Sequence, residues 1–361
     1  MMGTLFGQAV FTVGGQVYFW EDVVLAGLAS GECAVLERDL RHGLACVARA
    51  RAEHVLPGNE ELRAAAAAFR YERDLISAEE ASGWLARWKV QPEDWMDYLR
   101  RALFRSRWCE DLATIADRFP PADKVVDAAR HAEAVCSGTL ARLARGLAER
   151  AACTARAEIA SGGIGDEDGV SENAPRGGDT FVSDGELFAA AERLGISRAH
   201  ACTRLGVLAR VERSCRAVRR RVLSDRAVEG EIRAHQLEWT RLACDSVTFD
   251  SEAAAREALL CVRLDGQSLR NVAATARRFV TTERLFLDKL PPAVGDRMAG
   301  ARPGEAFGPV AIGGTFTVLQ VSGKILPSHS DQEIVGRAEE SLFSRVAQRE
   351  LLPMVQWQSA L

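Results

Sequence analysis

The 361-residue sequence lacks the marks of several common chemistries. None of its nine cysteines forms a CxxC pair and its six histidines are scattered without an HExxH, so no metal site is expected. It has no glycine-rich phosphate loop, no dinucleotide-binding fingerprint and no GxSxG elbow, so no cofactor is expected either. Paired carboxylates at a spacing suited to acid–base work are also missing. Neither sign of charge dominates: 46 Lys and Arg against 50 Asp and Glu leave a net charge of -4, which gives no pull toward nucleic acid. No run reaches the roughly 18 apolar residues of a membrane span, so no membrane partner is expected. The opening MMGTLFGQAVFTVGG has no basic stretch followed by an apolar run and a cleavage site. An odd number of cysteines fits a reducing compartment, and the cytoplasm is the expected location.

What is present is helix, for most of the length. Residues 8–19 alternate apolar and polar side chains around Gly14-Gly15, which predicts a short hairpin. From Glu21 to about Arg118 apolar residues recur every three or four positions, as in Leu36, Leu40, Leu44 and Val47. Ser77 followed by Glu79-Glu80, and Pro92 followed by Glu93-Asp94, are helix-start signals. A further helix is expected from about Asp123 to Ile159. Residues 161–179, with six glycines and many small or acidic residues, read as a mobile loop whose Asp166, Glu167 and Asp168 are solubilising. Helical periodicity returns from Asp184 to about Ala234 and includes the basic run Arg216 to Arg226, read as a solvated face.

Beyond Leu237 the pattern changes. LEWTRLACDSVTF is strand-like, residues 251–264 and 268–279 are helical, Leu290-Pro291-Pro292 opens another helix, and residues 307–324 give a strand, a glycine turn and a strand. The expected order is strand, helix, helix, helix, strand, strand. The fold class is therefore α+β, divided as 1–122 (hairpin and helices), 123–236 (second helical region), 237–327 (sheet-bearing domain) and 328–361 (a C-terminal helix packing back on the helical region). Trp84, Trp88 and Trp95 form a stripe read as core. Cys244 and Cys261 are read as packing residues, and His235 and His329 as non-ligands.

The segments SEAAAREALLCVRLDGQSLRNVAATA, LPPAVGDRMAG and ARPGEAFGPVAIGGTFTVLQVSGK resemble a parvulin-type prolyl isomerase domain, most specifically at Gly304-Glu305 and Gly308-Pro309-Val310. The helical region, with AFRYERDLISAEEASGWLARWKVQPEDWMDYLRRAL, resembles the chaperone part of SurA-like proteins. Together they are similar to PpiC-related peptide maturation proteins that accompany gene clusters for ribosomally made, modified peptides of the crocagin-like kind.

The departures from that family carry the functional expectation. The family's last-strand histidine falls on Thr317, and no histidine occurs from Gln236 to Ser328. FVTTERLFLD (279–288) replaces the family's glycine-rich stretch, with no acid or thiol at the matching place. No catalytic residue is therefore assigned. Phe286, Leu290 and Val294 fall where the family lines its cleft, and Thr317 and Leu319 point the same way along their strand. The resemblance implies a non-catalytic protein that binds a precursor peptide through these five residues and assists its maturation, with tailoring enzymes of the same pathway as further partners. An active prolyl isomerase, since that reaction needs no nucleophile, a scaffold for tailoring enzymes, and direct participation in peptide cyclisation stay open, as does oligomeric state.

Overall fold

A computed structural model describes residues 5–55, 57–160, 184–290, 292–312 and 314–359; the loop expected at 161–179 lies outside the described residues. The fold class is α+β, with helices and two small antiparallel sheets. The chain forms two compact units, Met1–Val218 with Ala347–Leu361, and Arg219–Val346. In sequence the second unit is an insertion within the first.

In the first unit β1 (Ala9–Val13) and β2 (Gln16–Phe19) pair around Gly14-Gly15, as the alternation predicts. The last strand of the chain, β7 (Gln356–Trp357), pairs with the other edge of β1. Phe11 anchors this sheet, stacked on Tyr18 at 4.8 Å and edge-on to Trp357 at 5.4 Å. The helices are α1 (Trp20–Ala29), α2 (Glu32–Ala52), α3 (Asn59–Tyr71), α4 (Ala78–Arg87), α5 (Pro92–Arg107), α6 (Leu112–Arg118), α7 (Asp123–Cys136), α8 (Thr139–Ala160), α9 (Asp184–Arg193) and α10 (Arg198–Val222), the last running on into the second unit.

The start signals work as their chemistry requires. Ser77 accepts the Glu80 N–H while Glu80 accepts the Ser77 N–H at 2.8 Å, closing a reciprocal cap, and Pro92 takes the first position of α5. The single helix expected over 123–159 is instead two, α7 and α8. Gly138, at φ +74°, takes the left-handed conformation that ends α7, and the N–H groups of Ser137 and Gly138 bond back to Glu133 and Val135. Apolar periodicity runs through both helices, which is why the sequence hides the break.

Of the tryptophan stripe Trp88 is buried core, while Trp84 and Trp95 are half-buried. Phe69 sits against Trp84 and Trp95 with ring centres 5.5 and 5.6 Å away, Trp88 packs on Trp20 at 5.2 Å, and the Arg73 guanidinium lies 3.7 Å above the Phe69 ring. Asp22, fully buried, is held by a fork of two hydrogen bonds from Arg204, each 2.5 Å, and by the Phe19 N–H at 2.8 Å.

The second unit follows with α11 (Asp225–Ala234), β3 (Arg241–Phe249), α12 (Glu252–Arg263), α13 (Leu269–Thr275), β4 (Thr281–Phe286), α14 (Pro292–Ala299), β5 (Ala306–Ile312), β6 (Thr315–Ile325) and α15 (Gln332–Val346). The four strands are ordered β4-β3-β6-β5, all antiparallel. The sequence reading missed β4. Its TTERLF is strand-forming, but it carries Glu283 and Arg284, which an edge strand tolerates because one side faces water. Of the basic run, Arg216 pairs with Glu212 at 3.1 Å, Arg219 covers the Phe343 ring at 4.1 Å, and Arg220, Arg221 and Arg226 are exposed.

Serine caps start α11, α12 and α13: Ser224, Ser251 and Ser268 accept the N–H groups of Ala227, Ala254 and Asn271. α12 and α13 cover one sheet face through Ala255, Leu259, Val262, Leu269 and Val272, against Val247, Phe249 and Val318. α15 packs on α11, where buried Glu231 accepts hydrogen bonds from Arg345 and, at 2.7 Å, from Ser341. Burial pushes the Glu231 carboxyl upward, and the Arg345 and Ser341 hydrogen bonds outweigh it, leaving the pKa below the ordinary glutamate value.

A carboxyl whose folded pKa is depressed contributes stability that is present above its unfolded pKa and lost as pH falls through the folded value. Denaturation of the protein between pH 5 and acid, roughly the range below the usual glutamate pKa of about 4.3, should therefore show a stability loss that is shallower in Glu231→Gln. A second expectation concerns the bulge in β5. Gly308 has φ +136°, and a Cβ there would meet the Thr317 carbonyl oxygen at 2.8 Å and the Val318 Cα at 3.2 Å; Gly304 has φ +90° and open space. Gly308→Ala should cost about 3 kcal/mol or more in chemical denaturation, and Gly304→Ala only about 1–2 kcal/mol.

Candidate functional site

The β3–β6 register decides which side chains share a sheet face. Cys244 lies opposite Val321, Ser246 opposite Leu319 and Thr248 opposite Thr317; β4 adds Glu283 opposite Cys244 and Thr281 opposite Ser246. With the two-residue period of a strand, these residues all face away from α12 and toward the side covered by α14.

That face has two halves. Leu242, Cys244, Phe307, Val310, Leu319 and Val321 form an apolar half with Leu287 and Met298, on which Leu285, Leu290 and Val294 pack half-buried. The other half carries hydroxyls and one carboxylate. The Thr248 and Thr317 hydroxyls lie 3.4 Å apart, and either can donate. Ser246 donates to the Thr281 carbonyl at 3.2 Å and to the Glu283 carboxylate at 3.4 Å. The segment 279–288 supplies an acid, Glu283, to this face. The strand pairing places it there, which motif matching along the chain cannot see.

The five residues expected to line one cleft are not brought together. Leu290 and Val294 are half-buried at the edge of the apolar half. Leu319, 2% exposed, is core, and Thr317, 7% exposed, lies in the hydroxyl half. Phe286 is on the opposite sheet face, because Leu285 and Phe286 alternate. There it packs with Trp239, Ile334 and Ala338, between the guanidiniums of Arg241 at 5.1 Å and Arg337 at 4.3 Å. Arg241 is ion-paired to Asp331 and Glu333, and Arg337 to Asp288, so this stack holds the start of α15 and is not open to a ligand.

The structure adds a residue the sequence reading passed over. Phe279, two residues before β4, is 93% exposed, while its neighbour Val280 packs on the α12 side. A large aromatic beside an edge strand that, among the described residues, pairs with β3 alone is a surface feature suited to binding. An apolar residue next to a charged strand was the available signal.

The chemistry of the face is limited. Burial, with Asp245 and Glu283 adding to it, pushes the Cys244 thiol up to about 11, so it is protonated and inert at neutral pH. Cys261 packs half-buried against the α12 cluster. His235, outside the sheet, stacks on Trp239 at 4.7 Å and bonds to Glu238 at 2.6 Å. The sheet residues offer hydroxyls, one carboxylate and apolar surface, which suit recognition of an extended chain.

Fold and site define an α+β protein whose helical unit carries an inserted, sheet-bearing unit with an exposed edge. No family model matches the chain, and no curated protein matches it. Among the described residues no helix is long and apolar enough to cross a membrane.

The division of this face into core and lining can be measured. Leu319→Ala should lower stability by roughly 2–5 kcal/mol in denaturant titration, as for a fully buried leucine, and Leu290→Ala by clearly less.

Proposed function

We propose that the protein binds an extended peptide at the β4 edge of the second unit and does no chemistry on it. The observation that carries this reading is the edge strand itself: among the described residues β4 pairs only with β3, with 93%-exposed Phe279 two residues before it and half-buried Leu290 and Val294 beyond its end. A peptide adding as a further strand gains backbone hydrogen bonds, and its alternate side chains reach Phe279 and the apolar rim. The four-stranded antiparallel sheet with flanking helices, following a helical body, supports a parvulin-like domain in a SurA-like protein. In that reading the ligand is the precursor of a ribosomally made, modified peptide, presented to tailoring enzymes in the cytoplasm.

The isomerase reading is favoured by one feature, the Thr248–Thr317 hydroxyl pair with Ser246 and Glu283 on the covered face. Prolyl isomerisation requires strain and desolvation of one bond and no nucleophile, so hydroxyls could assist it. Among the described residues no imidazole stands on the face, and the hydroxyls are engaged with one another or with the strands, which weighs for binding alone.

Calorimetric titration with the peptide encoded beside the gene should show saturable binding that Phe279→Asp weakens by about tenfold or more, the effect of losing one aromatic anchor. A proline-peptide assay should show no rate above background. Unchanged affinity in Phe279→Asp would move the site away from β4, and catalysed isomerisation would establish the enzyme reading.

A further inference from the structure

The first unit contains a binding groove of its own. Between α2, α5, the segment after α6, and α7 lies a cavity of about 760 Å³, within the range of small-ligand sites, with Val47, Val55, Phe104 and Phe119 among its apolar lining. Arg101 lines it too, and Arg101 is 5% exposed. Its Nε donates to Glu133 at 2.9 Å, while its Nη2 has no hydrogen-bond partner among the described residues.

The charges around it do not balance. Glu133, 2% exposed, faces two guanidiniums, Arg101 and, at 3.6 Å, Arg105, so one buried carboxylate stands against two cations. An unpaired donor on a buried cation is costly; Nη2 is itself closed to solvent, so a carboxylate in the groove would satisfy it once the guanidinium turns toward the groove. Arg51 at the rim, in no ion pair among the described residues, adds to the positive field. Asp94 and Asp97 also line the groove; Asp97 is taken by Arg100 at 2.5 Å, and Asp94 forms no ion pair among the described residues. Asp94 and Arg101 are seven positions apart on α5, about 10 Å along its axis. That is the length of roughly three extended residues.

We propose that this groove takes the carboxyl-terminal end of an apolar peptide, its carboxylate at Arg101, its side chains against Val47, Val55, Phe104 and Phe119, and its upstream N–H groups toward Asp94. The polarity follows from the charges: an anion acceptor at one end, an acidic group at the other, and apolar walls between. The inference is independent of the β4 reading, since it uses another surface and another part of the ligand.

The test is calorimetric titration of the full-length protein with acetyl-Leu-Val-Phe as the free acid and as its carboxamide. The acid should bind at least tenfold more tightly than the amide. Arg101→Gln should bring the two to equal affinity. Ala48→Trp and Ala128→Trp, placed on exposed alanines of the lining, should abolish binding of the acid without disturbing the fold; they carry the test where Arg101→Gln fails to fold. Phe279→Asp should leave this binding unchanged, which separates failure here from failure at the sheet edge. Equal affinity of acid and amide for the wild type, no binding of the acid at millimolar concentration, or full binding to the tryptophan variants would overturn the proposal.

Discussion

The pairing of β3 with β6, running from Arg241 opposite Ile325 to Phe249 opposite Phe316, is the constraint on which the sheet-bearing unit depends. β3 is bonded on both sides, so its alternation propagates to β4 and through β6 to β5. Odd positions from Val247 to Phe249 go under α12 and α13; even positions from Leu242 to Thr248 go under α14 or into the hydroxyl half. A slip of one residue would exchange these sets, placing Ser246 and Thr248 against α12 and Val247 on the other face. Gly308 belongs to the same constraint, because only a residue without Cβ lets β5 approach the Thr317 carbonyl.

Once this register is set, the apolar half of the face is committed to holding the fold. Leu319, Val321 and Met298 are sealed, and what is left for a ligand is the rim and the edge of β4. The first unit shows a different compromise. Its buried ionic groups include a satisfied pair, Asp22 with Arg204, and an unbalanced one, Glu133 between Arg101 and Arg105. The satisfied pair fixes α10 against the start of α1. The unbalanced one lies beside a groove, where a missing acceptor can be supplied from outside.

Much of the helical framework was legible because helix ends are written in local chemistry. Ser77 with Glu80, and Ser251 and Ser268, satisfy backbone donors within three residues, and Pro92 opens its helix with no N–H that needs a partner, so neighbouring sequence suffices. The same locality explains the errors. Gly138 breaks α7 from α8 without interrupting the apolar period, and β4 is too charged to read as a strand until an edge position excuses its Glu283 and Arg284. Of the expected cleft residues, Leu290 and Val294 stand at a surface, Leu319 and Thr317 are buried, and Phe286 faces the other way; the chain sequence gives the alternation of Leu285 and Phe286 but not which of them is turned to which side.

By itself, then, the sequence determined the α+β class, the hairpin around Gly14-Gly15, the strands β3, β5 and β6, and the helix starts at Ser77 and Pro92. Each of these depends on contacts a few residues long, or on a period that repeats along one element. Only the tertiary structure decided that the chain's last strand pairs with its first, that Glu283 joins Ser246, Thr248 and Thr317 on one face, that Phe279 is bare, and that Arg101 keeps an unpartnered nitrogen beside a groove. These depend on residues tens to hundreds of positions apart. Their meeting is set by strand register and helix packing, which no local pattern encodes.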